Sequence, residues 1–403
     1  MALRSILRTI LLLVVFLCIL DANVALPIKI FNVINYGAVA DGKTDNTQAF
    51  GETWKDACEY HGRSRVMVPY GTFVLRSITF VGYCNGSIAF VIKGILKAPT
   101  DPVGFANNTW IGFRYVNDLT LKGGGYLDGQ GAAAWHYNDC SKNSHCSALP
   151  VTLRFDFVTN SKVHHLRSIN SKNAHVNLFA CYNMSISQLN LLAPRDSPNT
   201  DGIHIGNSAR INISRSIIKT GDDCIAMVSG SRDIDISDIW CGPGHGISIG
   251  SLGRGPQREN VNRISVRNCS FVGTQNGLRI KTWAPSLYSL ASDMSFKDII
   301  MQDVQNPIFI DQNYCPYPPC GHQGKLRSSS VEIRNITLNN IRGTSSTKAA
   351  VKINCSGSVP CKDIVLRDID LTYNVGHIKL AATSNCSNVF GSTYGIQNPP
   401  SCL

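Results

Sequence analysis

The stretch from Thr200 to Lys281 repeats one short phrase four times, and this repeat decides the fold. Each copy places a polar residue before a small one and then alternates apolar and polar positions. The copies are Asp201-Gly-Ile-His-Ile, Asp223-Cys-Ile-Ala-Met, His245-Gly-Ile-Ser-Ile and Asn276-Gly-Leu-Arg-Ile. The first three are spaced by 22 residues and the fourth follows after 31, and periods in this range are typical of solenoids.

Equivalent positions of a solenoid stack one strand spacing apart, about 4.8 Å, from coil to coil. Asp201, Asp223 and His245 are therefore predicted to form a ladder on one outer face. Alternating runs such as Ile234-Asp-Ile-Ser follow each phrase, so every coil is expected to carry at least two strands. We predict an all-β fold, namely a single-domain right-handed parallel β-helix.

The two ends of such a solenoid need covers. Asn46 to Tyr60 is the one good helix candidate, because Phe50, Trp54 and Cys58 recur at a helical spacing and Asp45 or Asn46 suits an N-cap. We expect this short helix to cap the N-terminal end. The Gly-, Pro- and Ser-rich stretch from Cys386 to Cys402 is expected to close the other end.

The start of the chain has the features of a secretory signal peptide. Arg4 and Arg8 precede an apolar run from Ile10 to Leu20, and small residues follow. A membrane anchor is the alternative, but roughly 11 apolar residues fall short of the about 20 that span a bilayer. We expect a signal peptide over 1–25, a mature domain over 26–403, secretion to the cell wall and no membrane partner.

The cysteines suit an oxidising compartment, because 14 of the 15 lie beyond the signal peptide and this number is even. Their scattered spacing does not suggest a metal site. The predicted bridges are Cys224 with Cys241, Cys315 with Cys320, Cys355 with Cys361 and Cys386 with Cys402. Eight N-glycosylation sequons start at Asn85, Asn107, Asn183, Asn212, Asn268, Asn335, Asn354 and Asn385.

The formal net charge is +11, which predicts attraction to polyanions. Outside the cell these are acidic polysaccharides or anionic membranes more often than nucleic acids. The sequence has no Lys/Arg-rich run, zinc finger or helix-turn-helix pattern, so we expect no nucleic-acid partner. We expect a monomer.

The repeat also predicts which side chains share a surface. Within each phrase the Ile or Leu after the small residue points inward, and the next residue points outward. The outward positions form two rows, His204, Ala226, Ser248 and Arg279 in one and Gly206, Val228, Gly250 and Lys281 in the other. Small side chains with cations at one edge predict a trough that accepts an extended anionic ligand.

Three carboxylates are predicted to crowd on this face, because Asp201 and Asp223 share one register and Asp222 lies beside Asp223. A single Asp before a small residue is often only a turn former. Three together repel one another, so their clustering with His245 favours a reaction site. Glycoside hydrolysis needs one protonated carboxyl and one ionised carboxylate.

We assign Asp222 as the acid, because two neighbouring anions should raise its pKa. Asp201 and Asp223 then hold a water between them, and His245 tunes the proton. Arg279 and Lys281 lie on one strand and are expected to bind a sugar carboxylate, the first through paired hydrogen bonds and the second as a point charge.

With these residues the sequence resembles the plant polygalacturonases of glycoside hydrolase family 28. The resemblance rests on four motifs in order and on flanking text from Phe31-Asn-Val to Asn354-Cys-Ser. The motifs are Asn199-Thr-Asp-Gly, Gly221-Asp-Asp-Cys, Gly244-His-Gly and Arg279-Ile-Lys.

The resemblance implies inverting hydrolysis of α-1,4-linked galacturonan, the backbone of pectin, without a metal or organic cofactor. It implies the acid, water-activating and carboxylate-binding roles given above for the three aspartates, His245, Arg279 and Lys281. It further implies that Asn199 supports the site and that Tyr314 contacts substrate.

Within the family, three features are most similar to the exopolygalacturonases of pollen. They are Asp128-Gly-Gln-Gly with Trp135, the Asn138 to Cys146 insert and Ile310-Asp-Gln. Arg195 and Val228 stand where relatives have small residues and are expected to narrow the trough. An endo-acting enzyme, a non-catalytic pectin-binding solenoid and a Ca²⁺-dependent lyase remain the alternatives.

Overall fold

The computed structural model describes residues 27–105, 108–138, 148–316, 328–376 and 378–403. Within these ranges the chain coils as a parallel β-helix built from two sheets, a front sheet of 11 strands and a back sheet of 18 strands. The predicted right-handed parallel β-helix is confirmed. The signal-peptide prediction lies outside the described residues.

The front sheet contributes one short strand to each coil. In chain order its strands are β5 (Ile78–Val81), β8 (Thr109–Arg114), β11 (Val151–Asp156), β13 (Val176–Phe179), β15 (Ile203–Gly206), β17 (Ile225–Met227), β19 (Ile247–Leu252), β21 (Asn276–Trp283), β23 (Asn306–Tyr314), β25 (Ala349–Asn354) and β28 (Thr383–Ser387).

The back sheet begins with short strands and continues with long ones. They are β1 (Lys29–Asn32), β2 (Asp41–Asp45), β3 (Ser64–Val68), β4 (Thr72–Val74), β6 (Ile88–Ile92), β7 (Ile95–Lys97), β9 (Leu119–Lys122), β10 (Tyr126–Asp128), β12 (Thr159–Ile169), β14 (Tyr182–Leu192), β16 (Ala209–Lys219), β18 (Arg232–Cys241), β20 (Val261–Val272), β22 (Ser289–Val304), β24 (Val331–Ser345), β26 (Cys361–Val375), β27 (Ile378–Ala381) and β29 (Val389–Asn398).

Each long back-sheet strand contains at least two residues with a positive φ, five positions apart. The second of these in each strand has a φ between 47° and 56°; they are His165, Gln188, Arg215, Asp238, Asn268, Asp298, Asn340 and Asp368. Asn and Asp tolerate this left-handed backbone better than most residues, so their frequency here follows from local sterics.

The interior is a set of apolar columns that run along the solenoid axis. One column follows the repeated phrase and stacks residues in direct strand register: Ile203, Ile225, Ile247, Leu278, Ile308 and Val351. Each is at most 3% exposed. Complete burial of one such side chain contributes about 1.5–3 kcal/mol, so a shift of register would be costly along the whole column.

The N-terminal cover is helix α1, which spans Thr47–Glu59 and buries Phe50, Trp54 and Cys58 as predicted. Asp45 Oδ1 accepts a hydrogen bond from Thr47 N at 3.0 Å and so caps the first turn. Asn46, the other candidate, makes no cap hydrogen bond. At the opposite end the stretch after Cys386 adds strand β29 to the back sheet.

The predicted bridges Cys224–Cys241, Cys355–Cys361 and Cys386–Cys402 are present. Cys315 is disulfide-bonded, and Cys320 lies outside the described residues. A further bridge, Cys58–Cys84, was not predicted. Cys181 and Cys269 are buried and free, so the even count does not mean complete pairing.

No helix in the described part of the chain is long and apolar enough to cross a membrane.

Candidate active site

A cavity of about 470 Å³ opens on the outer face of the front sheet. It brings together all the residues that the sequence predicts for catalysis and binding: Asn199, Asp201, Asp222, Asp223, His245, Arg279, Lys281 and Tyr314. Ile203 pairs with Ile225, and Ile225 pairs with Ile247. Asp201, Asp223 and His245 therefore occupy equivalent positions on three coils, and the predicted ladder is present.

The turn from Gly221 to Cys224 fixes two of the carboxylates. Gly221 N donates to Thr200 Oγ1 at 2.9 Å. A Cβ on Gly221 would lie 2.0 Å from Ser197 O, so the preceding loop packs against the turn only because glycine has no side chain. Asp223 N then donates to Asp222 Oδ1 at 2.8 Å, which orients that carboxylate beside the ladder.

Asp223 is the centre of a buried ion cluster. Lys281 Nζ lies 2.9 Å from its Oδ2 atom, and an Arg279 Nη atom lies 2.9 Å from its Oδ1 atom. Ser248 Oγ donates to Oδ1 at 2.7 Å. Burial raises the pKa of Asp223, but the adjacent charges of Lys281 and then Arg279 outweigh it and lower the pKa to about 2. Asp223 is therefore ionised at any physiological pH.

Asp201 has the opposite electrostatic character. Burial raises its pKa well above the ordinary value of 3.8, and the charges of Asp222 and Asp223 raise it further. Lys281 and Arg279 lower the pKa of Asp201 only in part. The sequence predicts that crowding raises the pKa of Asp222, whereas the structure places a raised pKa on Asp201. Burial is the largest cause of the raised pKa of Asp201, and burial is not readable from spacing.

Asp222 is the carboxylate with a histidine partner. Its Oδ1 atom lies 3.0 Å from His245 Nδ1, and its Oδ2 atom accepts from Asn199 Nδ2 at 3.3 Å. His245 N also donates to the backbone oxygen of Asp222 at 2.8 Å. A neutral His245 with its proton on Nε2 can accept a hydrogen bond at Nδ1 from a protonated Asp222. The pair can therefore carry a proton at the cavity surface.

Three predicted positions differ in how they relate to the cavity. Tyr314 lies at its edge, and its ring centroid is 5.5 Å from Lys281 Nζ. Val228 also lines the cavity, as expected for a residue that narrows it. Arg195 is exposed and is not among the described lining residues, so its expected place in the wall is wrong.

Three of these side chains have the atoms to hold a metal ion. Ligand atoms of Asp222, Asp223 and His245 lie within 4.8 Å of one another. Both oxygens of Asp223, however, already face a lysine or an arginine. Two fixed cations repel a divalent ion, so this donor set fits metal binding poorly. The expectation of no cofactor stays a prediction.

Ser248 is a site residue that sequence reasoning assigned only to the trough lining. Besides donating to Asp223, its Oγ accepts from Arg279 Nε at 3.1 Å, and it is completely buried. His204, in the same outward row, lines the cavity and faces Asn177 Nδ2 at 3.3 Å. The alternation pattern places both residues correctly but does not show which side chains they contact.

Comparison with known proteins gives consistent matches over most of the chain. Residues 58–397 match Glycosyl hydrolases family 28. A polygalacturonase of Gossypium barbadense is 43% identical over 96% of this chain and 94% of that protein. An exopolygalacturonase of Oenothera organensis is 47% identical over 89% of this chain and 98% of that protein. The crystal structure of endo-xylogalacturonan hydrolase from Aspergillus tubingensis has a TM-score of 0.75 at 23% identity, covers 90% of this chain and 100% of that one, and supports the fold.

The raised pKa of Asp201 predicts a stability change that depends on pH. Above pH 3.8 the folded state binds more protons at this site than the unfolded chain, so the contribution of Asp201 to stability falls as pH rises. Asp201→Asn removes the charge and keeps the shape. We expect its unfolding free energy to exceed that of the wild type near neutral pH, with the difference vanishing near pH 3.

Denaturant unfolding between about pH 3 and pH 7 tests this prediction. Asp233→Asn is a matched control, because the pKa of Asp233 is lowered by its hydrogen bond with Arg263 and its exposed carboxylate should show the opposite trend. A constant difference between Asp201→Asn and the wild type at every pH would contradict the raised pKa.

Proposed function

The chain belongs to glycosyl hydrolases family 28, and we propose that it is a polygalacturonase, which hydrolyses α-1,4 linkages between the galacturonate units of pectin. Plant relatives with the names polygalacturonase and exopolygalacturonase support this substrate. The observation that carries the proposal is the buried Asp223 held between Arg279 and Lys281 beside two further carboxylates. The first test is to measure the release of galacturonate from de-esterified polygalacturonate.

Asp222 is proposed as the general acid. It faces the cavity and shares a proton with His245, so it can protonate the glycosidic oxygen as the bond from C1 to that oxygen breaks. His245 then helps to return a proton to Asp222 for the next cycle. Asn199 holds the second oxygen of Asp222 and keeps the carboxyl in place.

Asp223 and Asp201 are proposed to hold the attacking water. Asp223 is ionised because two cations lie against it, and it takes the proton that the water loses during attack on C1. Asp201, whose pKa is raised, contacts the same water. It donates a hydrogen bond to the water when it is protonated and accepts one from the water when it is ionised. The proton given by Asp222 and the proton taken by Asp223 balance the reaction.

The spacing of the carboxylates alone does not give the stereochemistry. Carboxylate atoms of Asp222 and Asp223 approach within 4.8 Å, whereas carboxyl pairs of inverting enzymes are usually about 6.5–9.5 Å apart and those of retaining enzymes about 5–5.5 Å. A retaining enzyme needs a free carboxylate oxygen as nucleophile. Both oxygens of Asp223 contact cationic side chains, which weakens them as nucleophiles and favours attack by water.

Arg279 and Lys281 are proposed to bind the carboxylate of the substrate. They are largely buried, with side chains about one-tenth exposed, and they line the cavity next to the reacting groups. Tyr314 lies over Lys281 and offers an aromatic face to the sugar ring. A galacturonate carboxylate would share these two cations with Asp223.

Exo action is the proposed mode. Asn138 Nδ2 donates to Asn199 Oδ1 at 2.9 Å, so the chain that leads into the Cys140 to Cys146 insert stands at one edge of the cavity. Val228 lines the same cavity and is proposed to narrow it. A cavity with a wall at one end accepts a chain end and excludes the middle of a chain. Endo action on an open trough remains the competing hypothesis.

The proposed location is the plant cell wall, where the substrate lies. The apolar N-terminal run and the disulfides beside the site support secretion. The enzyme is proposed to act as a monomer.

The two cations beside Asp223 predict a shift in the pH profile of a variant. Lys281→Met removes a positive charge and lets burial raise the pKa of Asp223 from about 2. Because the proposed base must be ionised, the acid limb of kcat/KM on polygalacturonate should move to higher pH. Lys281→Arg, which keeps the charge, should leave the limb in place. A higher KM with an unchanged acid limb would show that Lys281 acts only in substrate binding.

The first product should carry the β configuration. A water held by Asp201 and Asp223 attacks the face opposite Asp222, so an α-linked chain gives one inversion. Proton NMR during the first minutes of hydrolysis, before the sugar mutarotates, measures the anomer. An early α-product would mean that a carboxylate acts as nucleophile.

Exo action predicts monogalacturonate as the early product. Reducing ends should then accumulate steadily while the viscosity of a polygalacturonate solution falls slowly, because each event shortens a chain by one sugar. Size separation of the products decides the mode. A ladder of oligomers with a rapid loss of viscosity would show an open trough and endo action.

Chelation separates the hydrolase from a Ca²⁺-dependent lyase. The two cations that flank Asp223 disfavour a metal at the carboxylates, so EDTA should leave the release of galacturonate unchanged, and no absorbance from an unsaturated product should appear. Loss of activity on chelation with recovery on addition of Ca²⁺ would overturn the hydrolytic assignment.

A further inference from the structure

A second concave and cationic surface lies on the back sheet, in the N-terminal coils. We call it the basic groove and define it by Arg63, Arg65 and Lys122, which line a cavity of about 290 Å³. Lys162 adjoins it in the same strand row as Arg65, since Arg65 pairs with Ala89, Ala89 with Thr120 and Thr120 with Lys162. Three strand spacings, about 14 Å, separate the two ends of this row.

The cations of the basic groove have no anionic partner in the described part of the chain. Among the described residues, no ion pair or hydrogen bond involves the side chains of Arg63, Arg65, Lys122 or Lys162. The Nε atom of Arg65 is buried without a hydrogen-bond partner. Asp118 is the one carboxylate among the lining residues, and it is exposed.

Several exposed cations in the later coils of the same sheet have an acid beside them. The pairs are Arg263 with Asp233, Arg267 with Asp235, Lys297 with Asp298 and Arg334 with Glu332. The basic groove differs from these paired positions, because its three cations line one cavity and none of them forms an ion pair in the described part of the chain.

Further positive charge lies close to the groove. Burial lowers the pKa of His164, and the charges of His165, Lys122 and Lys162 lower it further. Clustered cations that lack counter-ions attract an anionic partner and are stabilised by it. Ser87 and Thr120 also line the groove and offer hydroxyl groups to a hydrated ligand.

We propose that the basic groove is a second, non-catalytic binding site for a carboxylated polysaccharide, with de-esterified polygalacturonate as the occupant. The choice of polymer rests on the proposed function of the front sheet, and the groove itself rests on its unpaired cations. An enzyme that removes single sugars leaves its chain end often. A second contact on the opposite face keeps it on the matrix between events and raises its effective concentration there.

The test compares two triple variants with the same change in net charge. Arg63→Ser, Arg65→Ser and Lys122→Ser alter the basic groove, whereas Arg263→Ser, Arg267→Ser and Lys297→Ser alter paired cations on the same sheet. Both are made in an Asp222→Asn background, so that the polymer is not consumed. Retention on immobilised de-esterified polygalacturonate is measured against salt, with fully methyl-esterified pectin as the neutral control.

We expect the groove variant to bind about tenfold more weakly, in line with the loss of three modest ion pairs, and to depend less on salt. The control variant should bind like its parent. Equal weakening of both variants would reduce the effect to net charge and overturn the proposal. Unchanged binding of the groove variant, or a preference for phosphatidylserine vesicles over polygalacturonate, would also overturn it.

Two further measurements separate folding and catalysis from this binding. Lys162→Glu changes an exposed side chain and should weaken retention without lowering the melting temperature. With Asp222 intact, the groove variant should cleave digalacturonate at the wild-type rate, because the catalytic cavity lies on the other sheet. If the wild type releases no galacturonate yet is retained through the groove, the hydrolase proposal fails and the second site stands.

Discussion

The parallel hydrogen-bond ladder between successive coils is the constraint on which the rest of the structure depends. It fixes Ile203, Ile225, Ile247 and Leu278 in one buried column. Because side chains alternate across a strand, the same register places every second residue on the outer face. The catalytic carboxylates are therefore positioned by the apolar column behind them. A slip of one residue would expose the column and bury the charges, so folding and site assembly are one event.

The ladder also brings like charges together. The three carboxylates differ in their partners, which reduces this repulsion. Asp223 receives both cations and stays ionised, whereas Asp201 has a raised pKa. Asp222 receives a histidine instead of a fixed cation. Two neighbouring carboxylates thus have pKa values shifted in opposite directions, and the third has a histidine partner. Such a difference between neighbouring titratable groups is what acid-base chemistry needs.

Much of this arrangement was predictable from spacing. The repeat predicts the coils, the outward rows and the ladder, because the spacing of the phrases and the alternation of apolar and polar residues depend only on nearby positions in the chain. The contact between Asp223 and Lys281 was not predictable in that way, since it joins residues 58 positions apart across a coil of different length. The sequence showed Lys281 as a partner for substrate and did not show that it already has a partner in the protein.

The same limit explains the other differences between prediction and structure. Which carboxyl has the raised pKa depends on burial, and Cys58–Cys84 depends on how α1 docks against the first coils. The basic groove brings together Arg65 of β3, Lys122 of β9 and Arg63 just before β3, and these cations are unremarkable in the sequence. They form a common surface only because parallel pairing places distant segments side by side.

The shared cations of the catalytic cavity link recognition to reactivity. Without substrate, Lys281 and Arg279 neutralise Asp223 and make it a weak base, with a pKa of about 2. In the proposed binding mode, a galacturonate carboxylate contacts the same two side chains, which places a negative charge next to Asp223 and weakens the interaction of both cations with Asp223. Both effects raise the proton affinity of Asp223. The base therefore strengthens when an acidic sugar arrives, whereas a neutral sugar leaves it weak. In this proposed mechanism, selectivity for galacturonate arises in the chemical step as well as in binding, because the carboxylate of the substrate raises the proton affinity of Asp223.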